Sequence, residues 1–217
     1  MTAAGDPEHE AILLIGPTGS GKTPLGRLIE ARGLWGRRCV HFDFGERLRA
    51  EAAAAMAAPG LTPDDLGVIR AALAGGALLE DGHSDLVFKV LRAFLIEKRA
   101  GPGDLVLLNG MPRHIGQARI VDGVLDVVVV VVLECPAGVI LERIRRDTGG
   151  DRAGRPDDSP KEIREKLEIF RRRTFPLVRL YAERGAAVIA VDVGTETAAG
   201  DIYPVLEKSI PATIWGS

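Results

Sequence analysis

The stretch AILLIGPTGSGKTPLGRLIEARG, residues 11–33, decides how the rest of the chain is read. Residues 11–15 (AILLI) are a continuous apolar run of strand length, and residues 21–32 carry a helical pattern. Between them, Gly16–Thr23 (GPTGSGKT) has a glycine, four variable residues, then glycine, lysine and threonine. Placed after a strand and before a helix, that spacing builds a phosphate-binding loop. Gly16, Gly19 and Gly21 let the backbone curl and leave no side chain in the way of an anion. The N–H groups of residues 19–23, including that of Ser20, then point inward at the start of a helix. Lys22 reaches the outer phosphates, and the Thr23 hydroxyl is placed to ligate a magnesium ion. Pro24 is tolerated because first-turn amides have no partner inside the helix.

Outward from this loop, strand candidates recur at 38–42, 105–108, 126–133 and 186–192. Helical patches lie at 45–58, 63–75, 84–99, 114–121, from Pro136 to about 146, 161–184 and 197–208. Strands alternating with helices predict βαβ units and a mostly parallel sheet covered on both faces, hence an α/β fold. The run VLDVVVVVVLECP at 124–136 is β-branched and too short to span a bilayer, so it reads as a strand buried on both faces.

The 217 residues, 46% apolar and 27% charged, suit one domain, and a net charge of −2 gives no reason to expect nucleic acid or membrane as a partner. The N-terminal residues lack the pattern of a secretory signal. Cys39 and Cys135 read as reduced, buried cytosolic thiols, and the four scattered histidines form no zinc pattern. No asparagine or threonine followed by Lys-x-Asp is present to read a guanine base, which argues against a GTPase.

Taken together and in order, GPTGSGKT, FGERLRAEAA (44–53), NGMPRHIGQA (109–118), GRPDD (154–158) and FPLVRLYAERG (175–185) resemble the adenylate kinase and nucleoside monophosphate kinase family. The resemblance covers about residues 11–208. It implies a three-layer α/β/α P-loop kinase fold with a five-stranded parallel sheet. The core would comprise 11–42, 84–146 and 161–208, with a helical acceptor-binding insert at 43–83 and a short lid at 147–160. The implied activity is transfer of the γ-phosphoryl group of ATP, with Mg2+, to a nucleoside monophosphate, by a cytoplasmic monomer acting on small-molecule nucleotides.

Roles follow by position in the resemblance. Gly45 and Arg49 correspond to the element whose arginine grips the acceptor phosphate, Arg113 to a second such arginine, and Gln117 to the reader of the acceptor base. Arg143 corresponds to the arginine beside the donor adenine, and Arg155 to a lid arginine. On closure Arg143 and Arg155 would cage the transferring group, which needs positioning and positive charge more than covalent help. Arg171–Arg173 read as a solvated helix stripe.

Three departures stand out. Asn109 replaces an aspartate; its amide oxygen would still accept a hydrogen bond from a metal-bound water, so Thr23 and Asn109 are the expected metal residues. Asp43 could supply the missing carboxylate. Phe44 replaces a small residue lining the acceptor base, and Lys166 a hinge arginine, so the base pocket is expected to be remodelled. Asp43 also opens a competing reading, a kinase that takes a proton from the hydroxyl of a small metabolite. A non-catalytic nucleotide-binding module is the third.

Overall fold

The computed structural model describes residues 9–54, 56–74, 81–150 and 159–209. Five parallel strands, β1 (His9–Ile15), β2 (Cys39–Asp43), β3 (Leu105–Asn109), β4 (Leu125–Glu134) and β5 (Ala187–Asp192), form one sheet in the order β2-β3-β1-β4-β5. The strand leading into the phosphate loop is therefore central. The chain leaves it toward β2 on one side and later crosses to β4 on the other. In such sheets the crevice beyond the strands' carboxyl ends, at this reversal, is where ligands bind.

Two apolar clusters explain why whole strands are hydrophobic. Leu13, Ile15, Phe42, Leu108, Val130 and Val132 face one layer, built on α4 (Ser84–Lys98), α5 (Ile115–Val121) and α8 (Pro176–Glu183). Ile12, Leu14, Leu107, Val129, Val131 and Leu133 face the other, where Leu25 and Ile29 of α1 (Lys22–Arg32) and Ile202 and Leu206 of α9 (Ala199–Ser209) pack. Side chains alternate across a strand, so a strand covered on both sides needs apolar residues at every position. Each fully buried valine of that run adds roughly 1.5–3 kcal/mol. The three-layer α/β/α expectation holds.

The insert carries α2 (Phe44–Ala53) and α3 (Pro63–Ala74). Asp43 caps α2, its Oδ1 accepting from the Glu46 N–H at 3.0 Å. The helix predicted over 161–184 is corrected to three pieces: α7 (Pro160–Ile169), a π-turn at Phe170–Thr174, and α8. Pro176 has no N–H and its ring crowds the carbonyl one turn back, so the helix widens, and the Phe175 N–H bonds the Phe170 carbonyl at 2.8 Å. α6 (Ala137–Arg146) ends at Asp147 in the left-handed region, φ 49°. Most of the expected lid, residues 151–158, lies outside the described residues.

α1 is seated closely on β2. A Cβ on Gly26 would sit 2.2 Å from His41 Nε2, and His41 is itself buried. Gly26→Ala should therefore cost about 1–3 kcal/mol of stability by overpacking, although alanine favours helix by about 1 kcal/mol; a chemical denaturation midpoint measures the balance. Burial also holds the His41 imidazole below its ordinary value of 6.5. The folded state then binds fewer protons than the unfolded one as pH falls through that value, so this contribution to stability is present above it and lost below. The slope of stability against pH just below neutrality should flatten in a variant lacking the imidazole, His41→Gln.

Candidate active site

The phosphate loop is built by close approach. Gly19 and Gly21 have φ of 79° and 94°, a region open to glycine at little cost. Gly16 lies so near β4 that a Cβ there would meet Ser20 Oγ at 2.6 Å and Leu133 Cβ at 3.0 Å. Ser20 turns its hydroxyl inward to the Pro17 carbonyl at 2.9 Å, leaving its contribution to a ligand to the backbone. Lys22 Nζ bridges the loop, 2.7 Å from the Gly16 carbonyl and 2.8 Å from that of Pro17.

Three polar side chains meet beside Lys22. Thr23 Oγ1 donates to Asp43 Oδ2 at 2.7 Å. Asn109 Nδ2 lies 2.6 Å from the same carboxylate oxygen and 3.0 Å from Thr23 Oγ1. The arrangement follows from the sheet, because Asp43 and Asn109 are register partners at the carboxyl ends of β2 and β3. The expectation that Asn109 offers its oxygen to a metal shell is corrected here. Its amide nitrogen faces Asp43, since the oxygen could not sit that close to a carboxylate oxygen.

The two expected acceptor arginines follow the carboxyl ends of neighbouring strands, Arg49 in α2 after β2 and Arg113 in the segment after β3. Arg49 is exposed, and its Nη1 is 3.4 Å from where a Cβ on Gly45 would be. A Cβ on Gly110 (φ 77°) would lie 3.7 Å from Arg113 Nη2 and 3.8 Å from Phe44 Cβ. Arg113 is fixed at three points. Its Nε donates to the Gly110 carbonyl at 2.8 Å, its N–H to Gln117 Oε1 at 2.8 Å, and its carbonyl accepts from Thr174 Oγ1 at 2.9 Å.

Two expectations change. Gln117 is 1% exposed and its oxygen ties down the Arg113 backbone, which makes it a positioning residue for that arginine. Phe44 does not wall a base pocket; its ring is in the core, 6.0 Å from that of Phe42.

Arg143 is corrected as well. It is 3% exposed, and its Nε donates to the Gly19 carbonyl at 3.0 Å while Nη1 meets the carbonyls of Gly194, Thr195 and Thr197 at 2.7, 3.2 and 2.8 Å. A guanidinium so committed cannot swing in with a lid. It bolts the phosphate loop to the β5–α9 connection, with Nη2 3.3 Å from a Cβ placed on Gly21. Beside it opens a cleft of about 510 Å³, lined among others by Gly21, Pro24, Arg143, Thr148 and Thr197. Arg155 lies outside the described residues.

The site was incompletely legible in sequence. Thr174 was missed, though its place two residues before Pro176 put it in the widened turn. The acceptors of Arg143 were missed because they are backbone carbonyls far along the chain. Burial pushes the Cys39 thiol up to about 12 and raises that of Cys135 despite nearby Arg143 and Lys22, which disfavours the thiolate at both positions. Among the described residues no group of three or more His, Cys, Asp or Glu side chains could hold a metal by itself, and no helix is long and apolar enough to cross a membrane.

Comparison with known proteins meets this geometry. A family model described as an AAA domain matches residues 15–164. An adenylate kinase of Stenotrophomonas maltophilia (strain R551-3) is 32% identical over 190 residues, covering 84% of this chain and 91% of the relative. One from Synechococcus sp. (strain WH7803) is 35% identical over 190 residues, covering 84% and 90%. This chain belongs to the adenylate kinase family of P-loop kinases. Another family member, an adenylate kinase of Nitrobacter hamburgensis, is 32% identical over 214 residues and covers 93% of this chain and 94% of its own. A gluconokinase from Sinorhizobium meliloti 1021 aligns over 91% of this chain and 89% of its own at a TM-score of 0.49 and 18% identity, a likeness too distant to bear on the acceptor.

Replacing the bolt tests its structural role in this kinase fold. Arg143→Met strands buried carbonyls and should lower stability by at least about 2 kcal/mol, along with ATP affinity. Arg143→Lys should recover little, because a single ammonium cannot reach both Gly19 and the 194–197 loop. A thermal melt and a nucleotide titration measure both effects.

Proposed function

We propose that this P-loop kinase moves the γ-phosphoryl group of ATP to a nucleoside monophosphate or a closely similar small phosphorylated acceptor. One observation supports the reading: Arg49, in α2, and Arg113, after β3, follow the carboxyl ends of neighbouring strands whose last residues, Asp43 and Asn109, are register partners and meet Thr23 of the phosphate loop. Paired guanidinium groups suit an acceptor that is already an anion, whose oxygens they can fork.

Loop amides and Lys22 hold the donor phosphates, and the cleft beside Arg143 and Thr197 takes the donor base. The donor set fits magnesium: a threonine hydroxyl and a carboxylate meet where the outer phosphates would lie. When bound, the ion would neutralise phosphate charge and orient the oxygens of the donor. Arg49 and Arg113 bring the acceptor oxygen in line. Gln117 and Thr174 keep Arg113 in place, so its charge costs no reorganisation at the moment of transfer. Arg155 is proposed to join from the lid and help exclude water.

The competing reading, a hydroxyl acceptor with Asp43 as base, draws on the position of that carboxylate at the end of β2. Three donors already occupy it, namely Thr23, Asn109 and the Glu46 N–H, out of about four lone-pair directions. That leaves it better suited to holding charge than to taking a proton.

The test is an ADP-release assay with ATP and Mg2+ across the common nucleoside monophosphates and a set of hydroxylated metabolites. Turnover is expected with a monophosphate. In Arg113→Met the acceptor KM should rise roughly 10- to 100-fold with ATP affinity spared, the loss of one charge-assisted contact. Turnover only with an unphosphorylated alcohol would favour the competing reading.

A further inference from the structure

We propose that this chain carries the carboxylate of its magnesium site on β2 instead of β3: Asp43 faces the ion, and Asn109 is the positioning residue that holds Asp43 there. The inference rests on the ATP and Mg2+ reading above and deepens it, since the resemblance places that carboxylate at position 109.

What each side chain can donate or accept sets its orientation. An ionised carboxylate only accepts hydrogen bonds, and a carboxamide donates only through its nitrogen. With Asn109 Nδ2 2.6 Å from Asp43 Oδ2, the amide orientation is fixed by its neighbour, because the reverse would set oxygen against oxygen. Asn109 is 3% exposed, so it cannot turn out to solvent to escape the pairing. Its amide nitrogen also reaches Thr23 Oγ1 at 3.0 Å, while the Thr23 hydroxyl donates its single proton to Asp43 at 2.7 Å.

The consequence falls on Thr23. With its proton given to Asp43, a lone pair of its oxygen is left for a cation, and the negative charge behind it strengthens that interaction. Magnesium favours hard oxygen donors and keeps several of its own waters, which a nearby carboxylate can orient. Asp43 offers that charge directly beside Thr23. Register pairing of Asp43 with Asn109 means the charge has moved across one strand spacing, with the same two neighbours exchanging roles. The hydrogen bond from Glu46 N–H to Oδ1 fixes the carboxylate from its other side.

The test measures metal binding without turnover. Manganese replaces magnesium as a paramagnetic probe, and its affinity for the ATP-loaded protein is followed by electron paramagnetic resonance. Four proteins are compared: the parent chain, Asp43→Asn, Asn109→Asp and the exchanged pair Asp43→Asn/Asn109→Asp. Asparagine keeps the cap on α2, and thermal melts confirm folding. Asp43→Asn should weaken manganese binding roughly 10- to 100-fold, while metal-free ATP affinity does not fall, since a negative charge beside the phosphates is removed. The exchanged pair should recover most of that loss, which a merely structural role for either residue would not produce. In Asn109→Asp two carboxylates face each other, and Mn2+ with ATP should raise its melting temperature by more than it raises that of the parent.

Unchanged manganese affinity in Asp43→Asn would overturn the proposal, as would an exchanged pair no better than the single variant. Neither result touches the kinase reading. Failure of the parent chain to bind ATP at all would instead remove the reading on which both stand.

Discussion

A carboxylate at the buried end of a parallel sheet must be surrounded by donors, and in this protein that constraint joins three parts of the fold. Asp43 is held from α1 by Thr23, from β3 by Asn109 and from α2 by the Glu46 N–H. The phosphate loop, α2 and the strand leading to Arg113 are thereby referenced to one pair of oxygen atoms. It also explains why position 109 is neutral. A second ionised carboxylate at the 2.6 Å separation seen for Asn109 and Asp43 would be repelled by about 6 kcal/mol at an effective dielectric near 20. With no cation between them, only one of the two positions can carry the charge.

The second fixed point is Arg143. Phosphate loops are glycine-rich because the anion needs bare amides, and glycine carries the greatest entropic penalty on ordering. Four backbone carbonyls bonded to one buried guanidinium hold Gly19 against the 194–197 connection, so the nest is set before any nucleotide arrives. Preorganised donors of this kind are the main electrostatic lever available to phosphoryl transfer. Arg113 is tied by Gln117 and by Thr174 from the π-turn that Pro176 imposes. A proline usually read as a helix boundary here places a hydroxyl against the Arg113 carbonyl. The residues joined by that contact are 61 positions apart.

By itself the sequence determined the fold class, the phosphate loop and the order of the elements. Glycine spacing, β-branched runs and helical periodicity act locally, and a loop between a strand and a helix leaves the backbone few alternatives. The family resemblance also singled out Arg49 and Arg113, each a few residues beyond a strand end. What the sequence left open were the directions in which side chains point. Phe44 reads as a wall of the base pocket, yet its ring is drawn into the core beside Phe42, where an aromatic side chain gains more than at a solvent-facing rim. Arg143 and Gln117 read as ligand contacts, yet both are buried against backbone groups that only the assembled sheet brings near. That Asp43 and Asn109 meet at all follows from the pairing of β2 with β3. Hydrogen-bond complementarity between two adjacent side chains is a property of the tertiary structure, and no spacing along the chain records it.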